Sequence, residues 1–156
     1  MILRKASDMK RTWCGALIAL LWLGGCAAVP SPGAPDFSRP EIADLQAQLE
    51  RDPIRPGETV RITRLVESPD MSGLLVQIQG AMPPHFHKRT QEVIYLLRGE
   101  GMLQLGTERM PIKAGAVVRV PAGRMHTFTS QGPAPAVFFV VTTPRWDEQD
   151  RVMAPE

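Results

Sequence analysis

The chain has 156 residues, a length that suggests one domain. Hydrophobic residues make up 44% and charged residues 22%, which excludes both a fully disordered chain and a membrane protein with several spans. The first 25 residues hold four basic residues and one acidic residue, whereas the rest hold 14 basic and 15 acidic residues. No run of Lys or Arg in that remainder could follow a phosphate backbone, so nucleic-acid binding has no support.

A short apolar segment near the start has the order of an export signal. Two basic residues precede an apolar run of 11 residues (13–23), and small residues follow it. The run is roughly half as long as a helix that crosses a bilayer, which makes a transmembrane anchor or a buried helix the less favoured alternative. We predict a signal peptide over residues 1–25, with translation starting at Met1 or Met9.

The end of this segment, Leu-Gly-Gly-Cys at 23–26, resembles the lipobox of bacterial lipoproteins. The resemblance implies cleavage before Cys26, lipidation of that cysteine and membrane attachment through several acyl chains. Cleavage would also remove Cys14, so no disulfide could form within the mature chain. Ala27 stands where an aspartate retains many such lipoproteins at the inner membrane, which favours the outer membrane. The expected location is therefore the bacterial cell envelope, on the periplasmic side.

Residues 26–56 are expected to connect this anchor to the folded domain. Residues 27–40 contain four prolines and suit a tether. The segment that follows places Ile42, Leu45 and Leu49 at helical spacing, which predicts a short amphipathic helix.

From residue 57 the pattern changes to short apolar segments with turn residues between them. Most are four to eight residues long and rich in Val, Ile, Leu, Phe or Thr. No segment of helical period and length interrupts them. The sequence therefore predicts an all-β sandwich or barrel of about eight short strands over 57–143, followed by a C-terminal tail over 144–156.

The three histidines lie in two of these segments. His85 and His87 are two residues apart, so both rings lie on one face of an extended strand. Glu92 can return to the same place if the chain turns at 88–90, and His126 begins another strand. Three imidazoles and a carboxylate that converge inside a barrel would form a site for a first-row transition metal. The alternative is that each histidine is a separate surface or core residue.

The first of these segments resembles the first sequence motif of the cupin family, G-x5-H-x-H-x3,4-E-x6-G. The matching residues are Gly80, His85, His87, Glu92 and Gly99. The spacing departs from the motif at one place, because four residues instead of five separate the first glycine from the first histidine.

The second segment resembles the second cupin motif, G-x5-P-x-G-x2-H-x3-N. The matching residues are Gly115, Pro121, Gly123 and His126, and Ser130 stands in place of the final asparagine. Neither departure falls on an expected ligand. Together the two motifs use every histidine of the chain.

The resemblance implies a single-domain, type-2-like cupin with a jelly-roll barrel. It also implies one bound divalent transition metal ion, which could be Fe, Mn, Ni, Cu or Zn. The implied ligands are His85, His87, Glu92 and His126. Gln91 would take the acidic position under the shorter spacing that the motif allows, but a carboxylate is the better ligand for such a cation.

The resemblance leaves two hypotheses on function. Cupin enzymes of this layout include oxygenases, isomerases and decarboxylases, so the chain could be an envelope-anchored metalloenzyme that acts on a small oxygen-bearing compound. Other cupins only bind, so it could instead be a non-catalytic module of the envelope that binds a metal or ligand. No histidine is left for acid–base catalysis, and the catalytic residues stay unassigned. The remaining candidates more often have structural roles; they are Tyr95, Glu100, Arg119 and Arg124.

The strand over 93–97 is apolar on both faces. If Glu92 points inward, Val93, Tyr95 and Leu97 point outward and need cover. Either the helix over 41–50 or a second subunit could supply it. We predict a homodimer.

Overall fold

The structure is a computed structural model that describes residues 37–38 and 40–155. The predicted signal peptide, the lipobox with Cys26 and most of the tether lie outside these residues. No helix in the described part of the chain is both long and apolar enough to cross a membrane.

The strands of the described residues form two antiparallel five-stranded sheets. In chain order the elements are α1 (Leu45–Arg51), β1 (Val60–Glu67), β2 (Ser72–Ile78), β3 (His85–His87), β4 (Gln91–Arg98), β5 (Glu100–Leu105), β6 (Glu108–Lys113), β7 (Val117–Val120), β8 (His126–Gln131), β9 (Ala136–Thr143), a single 3-10 turn (Glu148–Asp150) and β10 (Arg151–Met153). Sheet A has the order β1-β2-β9-β4-β7, and sheet B has the order β10-β3-β8-β5-β6. The chain therefore crosses repeatedly between the sheets, which confirms the predicted all-β jelly-roll barrel with a short N-terminal helix.

The hydrophobic core lies between the two sheets. Alternate residues of each strand point inward, and apolar residues at those positions meet across the gap. The rings of Phe128, from sheet B, and Phe138, from sheet A, pack edge to face with centroids 4.9 Å apart. Leu74, Leu96 and Leu103 are almost fully buried around them. Each such side chain stabilises the fold by about 1.5–3 kcal/mol relative to an exposed one.

The helix is shorter than the sequence pattern suggests. It begins after Asp44, whose carboxylate accepts a hydrogen bond from the amide of Ala47 at 3.0 Å. This cap satisfies a free amide of the first turn and so fixes the start of the helix. Ile42 therefore lies outside α1 and is 97% exposed. No residue of α1 is buried.

Hydrogen bonds and an ion pair hold the chain after α1 against the outer face of sheet A. The Asp52 carboxylate contacts Arg61 at 2.6 Å and Thr63 at 2.8 Å, both on β1. The side chain of Gln77 on β2 donates to the Asp52 carbonyl at 2.8 Å and accepts from the amide of Ile54 at 3.0 Å. The last part of the connecting region is thus held on the barrel.

At the other end of sheet A, on β4 and β7, three apolar side chains stay exposed on the outer face. Val93 and Tyr95 on β4 are 46% and 40% exposed, and Val117 on β7 is 67% exposed. Tyr95 and Val117 are direct cross-strand neighbours. We call these three residues the outer patch, and α1 does not bury them.

Two strands have no clear signal in the sequence. β6 contains Pro111, which the sheet tolerates because β6 lies at the edge. β10 lies within residues 144–156, the expected C-terminal tail, and pairs with β3. Three residues are too few to show a period, so only the pairing identifies β10 as part of the barrel.

Candidate metal centre

The three histidines meet on the inner face of sheet B. His85 and His87 are two residues apart on β3, so both rings lie on the same face. His126 begins β8 directly opposite His85. All three are buried, at 4%, 4% and 2% exposure. One ring nitrogen from each lies within 4.8 Å of those of the other two. The three imidazoles could therefore hold one metal ion, as the sequence predicts.

Backbone carbonyls fix the orientation of two of these rings. His85 Nδ1 lies 3.0 Å from the carbonyl oxygen of Pro83, and His126 Nδ1 lies 3.0 Å from that of Arg124. A carbonyl can only accept, so each Nδ1 carries a hydrogen, and in the neutral ring Nε2 then has a free lone pair for a metal. Imidazoles that bind metals are commonly oriented in this way.

Glu92 approaches the histidines from the opposite sheet. It is the second residue of β4 and is buried. One carboxylate oxygen lies 3.5 Å from His87 Nε2, and the other lies 3.3 Å from His126 Nε2. A bare lone pair on Nε2 would repel a carboxylate at this distance, so the arrangement suits a positive charge between the two atoms, either a proton or a metal ion. Nitrogen and carboxylate donors fit a divalent transition metal.

The structure also distinguishes Glu92 from its neighbour Gln91. Gln91 is exposed, and its side chain contacts the Arg119 guanidinium at 3.3 Å on the outside of the barrel. Successive residues of a strand point to opposite faces, so only one of the two can reach the histidines. That residue is Glu92.

At neutral pH, His85, His87 and Glu92 are in the protonation states that metal binding requires. Burial, together with the nearby His126, lowers the pKa of His85 to about 4. Burial also lowers the pKa of His87, although the charge of Glu92 opposes this. For Glu92, burial raises the pKa, but the hydrogen bond and charge of His126 outweigh burial and hold the pKa below its ordinary value. His85 and His87 are therefore neutral and Glu92 is ionised, so no proton has to leave these groups before a metal binds.

The turn at 88–90 that brings Glu92 back to the site is held by the buried carboxylate of Asp150. The backbone amide of Thr90 donates to it at 2.9 Å, and that of Arg89 donates at 3.1 Å. Burial raises the pKa of Asp150, but hydrogen bonds from the side chains and backbone amides of Thr90 and Arg89 together lower it to about 2. The C-terminal segment thus fixes the position of a candidate ligand.

Two glycines of the motifs, Gly123 and Gly99, lie at turns where the backbone needs a positive φ. Gly123 has φ of 74° and donates its amide hydrogen to the carbonyl of His87 at 2.6 Å. Gly99 has φ of 85°, and a Cβ atom there would lie 3.0 Å from the Cα atom of Ala136. Both positions are in the left-handed region that favours glycine.

The two departures from the motif pattern contact each other. The hydroxyl oxygen of Ser130, which replaces the motif asparagine, accepts from the amide of Gly80 at 2.7 Å. The backbone amide of Ser130 donates to the Gly80 carbonyl at 2.9 Å. The serine therefore links the start of the first motif to the end of the second.

The metal-binding side chains line a largely apolar pocket between the sheets. Its walls come from both sheets and include Val76, Ile94, Phe128, Phe138 and Val140. Trp146 and Arg151 also line it, and with Ile62 they line a more open groove on the surface. We call these two spaces the inner pocket and the outer groove. The three shared residues mark the side on which the inner pocket opens.

Sequence reasoning did not identify Trp146 or Arg151. Both lie beyond residue 143, where the barrel was expected to end, and no motif marks them. The four acid–base candidates that the sequence offered do not line the inner pocket; they are Tyr95, Glu100, Arg119 and Arg124. Tyr95 and Arg119 lie on the outer face of sheet A, as predicted from alternation along the strands.

Comparison with known proteins agrees with this fold. Residues 74–142 match a family model described as Cupin domain. An uncharacterized protein of Aquifex aeolicus is 28% identical over 116 residues, which is 74% of this chain and 94% of that protein.

Solved structures show the same fold. A protein of Thermus thermophilus is 30% identical, with a TM-score of 0.58 over 68% of this chain and 99% of that one. The Streptomyces nucleoside dehydratase Pac13, solved with uridine, is 22% identical, with a TM-score of 0.54 over 62% of this chain and 79% of that one.

Proposed function

We propose that this chain, whose residues 74–142 match the Cupin domain family, is a metal-dependent enzyme that acts on a small oxygen-bearing compound. One observation carries this proposal. Three imidazoles and the Glu92 carboxylate converge at the wall of an apolar pocket that opens to the surface. A simple structural site would not need such access.

The residues of the site would have two roles. The side chains of His85, His87, His126 and Glu92 would hold one divalent ion. When bound, the ion would supply a Lewis acid that polarises a substrate oxygen. The apolar walls would exclude water, which strengthens each electrostatic interaction inside the pocket. Pac13 acts on a nucleoside and was solved with uridine, which supports a small-molecule ligand for a barrel of this fold.

A second candidate is a module that binds a metal or a ligand without turnover. One observation favours it: among the described residues that line the inner pocket, no Asp, Glu, His, Cys, Lys or Tyr remains beyond the four expected ligands. General acid–base catalysis by a separate side chain is therefore not available from these residues.

Metal analysis followed by a turnover screen tests the proposal. The purified full chain should contain close to one divalent transition metal ion per chain. Small hydroxy, keto and sugar compounds should then include one that is converted, and chelation should abolish the conversion. A chain that binds metal and a compound from the screen but converts none would favour the binding module. A chain that binds no transition metal would contradict both forms of the metal proposal.

We place this activity in the bacterial envelope. The support is the export signal over 1–25 and the lipobox that ends at Cys26. Anchoring through this cysteine would hold the barrel at a membrane surface, with residues 27–40 as a tether. The outer patch supports a homodimer. Its apolar side chains are left exposed by α1, and covering them with a second copy would lower the free energy.

A further inference from the structure

Arg151 lies at the opening of the inner pocket. It is the first residue of β10, and its direct partner on β3 is His87. Its half-buried side chain lines both the inner pocket and the outer groove. Among the described residues that line the inner pocket, it is the only lysine or arginine.

In the part of the chain that the structure describes, this guanidinium makes no hydrogen bond or salt bridge, although the charge of Glu92 acts on it. Its Nε atom is buried without a hydrogen-bond acceptor. The other arginines near the opening are paired: Arg145 contacts Glu67 at 2.6 Å, and Arg64 contacts the same carboxylate at 3.7 Å. A partly buried cation without an acceptor costs free energy, so a purely structural role does not explain this arrangement.

We propose that Arg151 binds a carboxylate of the ligand, and that the inner pocket takes small carboxylates with an apolar body. A guanidinium is planar and matches a carboxylate with two parallel hydrogen bonds. The apolar walls of the pocket would contact the rest of the ligand. The proposal deepens the proposed function by naming the substrate class, although binding of the anion does not itself require the metal.

The charge of the site favours a carboxylate over a phosphate. Glu92 already places one negative charge in the pocket, and burial by apolar side chains makes an excess of charge costly. The guanidinium of Arg151 offsets that charge, so a bound monoanion adds one negative charge to the pocket. A doubly charged phosphate would leave a second negative charge uncompensated.

Calorimetric titration of the full chain, freed of metal with EDTA, tests this proposal. The probes are hexanoate, its neutral analogue hexanamide, and hexyl phosphate. Wild-type protein should bind hexanoate at least about tenfold more tightly than either of the others. Arg151→Gln should remove the preference over the amide, and Arg151→Lys should keep part of it because the charge remains but the planar fork is lost. The matched control Arg64→Gln, in the outer groove, should behave as wild type.

Several results would overturn the proposal. If wild-type protein binds hexanoate and hexanamide equally well, the proposed carboxylate site is excluded before any variant is made. Retention of the full preference in a folded Arg151→Gln protein would exclude Arg151 as the anchor, and tighter binding of hexyl phosphate would exclude carboxylates as the class. Because the titration uses metal-free protein, it can exclude the anion site even when a separate experiment shows that the chain binds metal. Conversely, a normal preference for hexanoate in a chain that never binds metal would refute only the proposed metal-dependent function.

Discussion

The backbone amide of Thr90 donates a 2.9 Å hydrogen bond to the carboxylate of Asp150, 60 residues further along the chain. Thr90 lies in the turn that brings Glu92 to the histidines, whereas Asp150 directly precedes β10. The geometry of the candidate metal centre therefore depends on the C-terminal segment as well as on the two sequence motifs.

Asp150→Asn should destabilise the protein and weaken metal binding. An amide presents a donor where the carboxylate presents a second acceptor, so one of the amides of the turn loses its partner. A buried donor without a partner costs about 1–3 kcal/mol. Urea unfolding measures the loss, and metal titration measures the displacement of Glu92. Glu148→Gln, an exposed acid-to-amide change in the same 3-10 turn, is the control. If both variants unfold at the same urea concentration as wild type, the carboxylate does not hold the turn.

Replacing any of the three histidines with alanine should weaken metal binding severely, because each removes one of at most four protein ligands. Glu92→Gln should weaken it less, since an amide oxygen can still coordinate but carries no charge. Fluorescent-chelator competition measures the affinities, and Gln91→Ala, on the opposite face of β4, is the control. The barrel should remain folded in all these variants, because its core is built from apolar side chains. If folded His126→Ala protein retains wild-type affinity, the three histidines do not form one metal site.

The sequence predicted the barrel and the convergence of the histidines for identifiable physical reasons. Alternation has a period of two residues, so it shows which side chains share a face of β4. The same rule places His85 and His87 together. The motif spacing then relates these histidines to His126, about 40 residues away, which alternation alone cannot do.

Other features could not be predicted, because they depend on contacts between distant residues. β10 is too short to show a pattern, and its place in sheet B follows only from pairing with β3. The position of Arg151 in the inner pocket depends on that pairing. The helix was predicted too long because Ile42 fits the helical period, whereas the cap at Asp44 excludes it. The ligand roles of the four site residues stay predictions.

The outer patch predicts a homodimer at tens of micromolar. Val93→Glu should shift the protein to monomers, because dimer formation would bury an unpaired charge in an apolar contact. Light scattering measures the molar mass. Ile42→Glu places the same charge on an exposed apolar residue outside the patch and should leave the dimer intact. A monomeric wild-type protein at that concentration would contradict the prediction.

Cys26→Ser should abolish lipidation and leave the signal peptide uncleaved or the protein mislocalised. A hydroxyl group cannot form the thioether to the lipid. Partition into detergent and intact mass of the purified protein measure the two effects. Cys14→Ser, inside the apolar run of the same signal, is the control and should be processed normally. Normal lipid attachment of the Cys26→Ser protein would exclude the lipoprotein assignment.

Acid should destabilise the metal-free protein between about pH 6.5 and pH 4. The pKa of His85 falls from 6.5 to about 4 on folding, so within this window the unfolded chain holds a proton that the folded chain does not. Stability is therefore lost as the pH falls, by up to about 3 kcal/mol for His85, and the lowered pKa of His87 acts in the same direction. Urea unfolding in EDTA at pH 7, 6, 5 and 4 measures this slope, and His85→Gln should make it shallower. With metal present, proton competition should release the ion below pH 6.5. A stability that stays constant or rises as the pH falls through this window would show that the histidines are not buried in their neutral form.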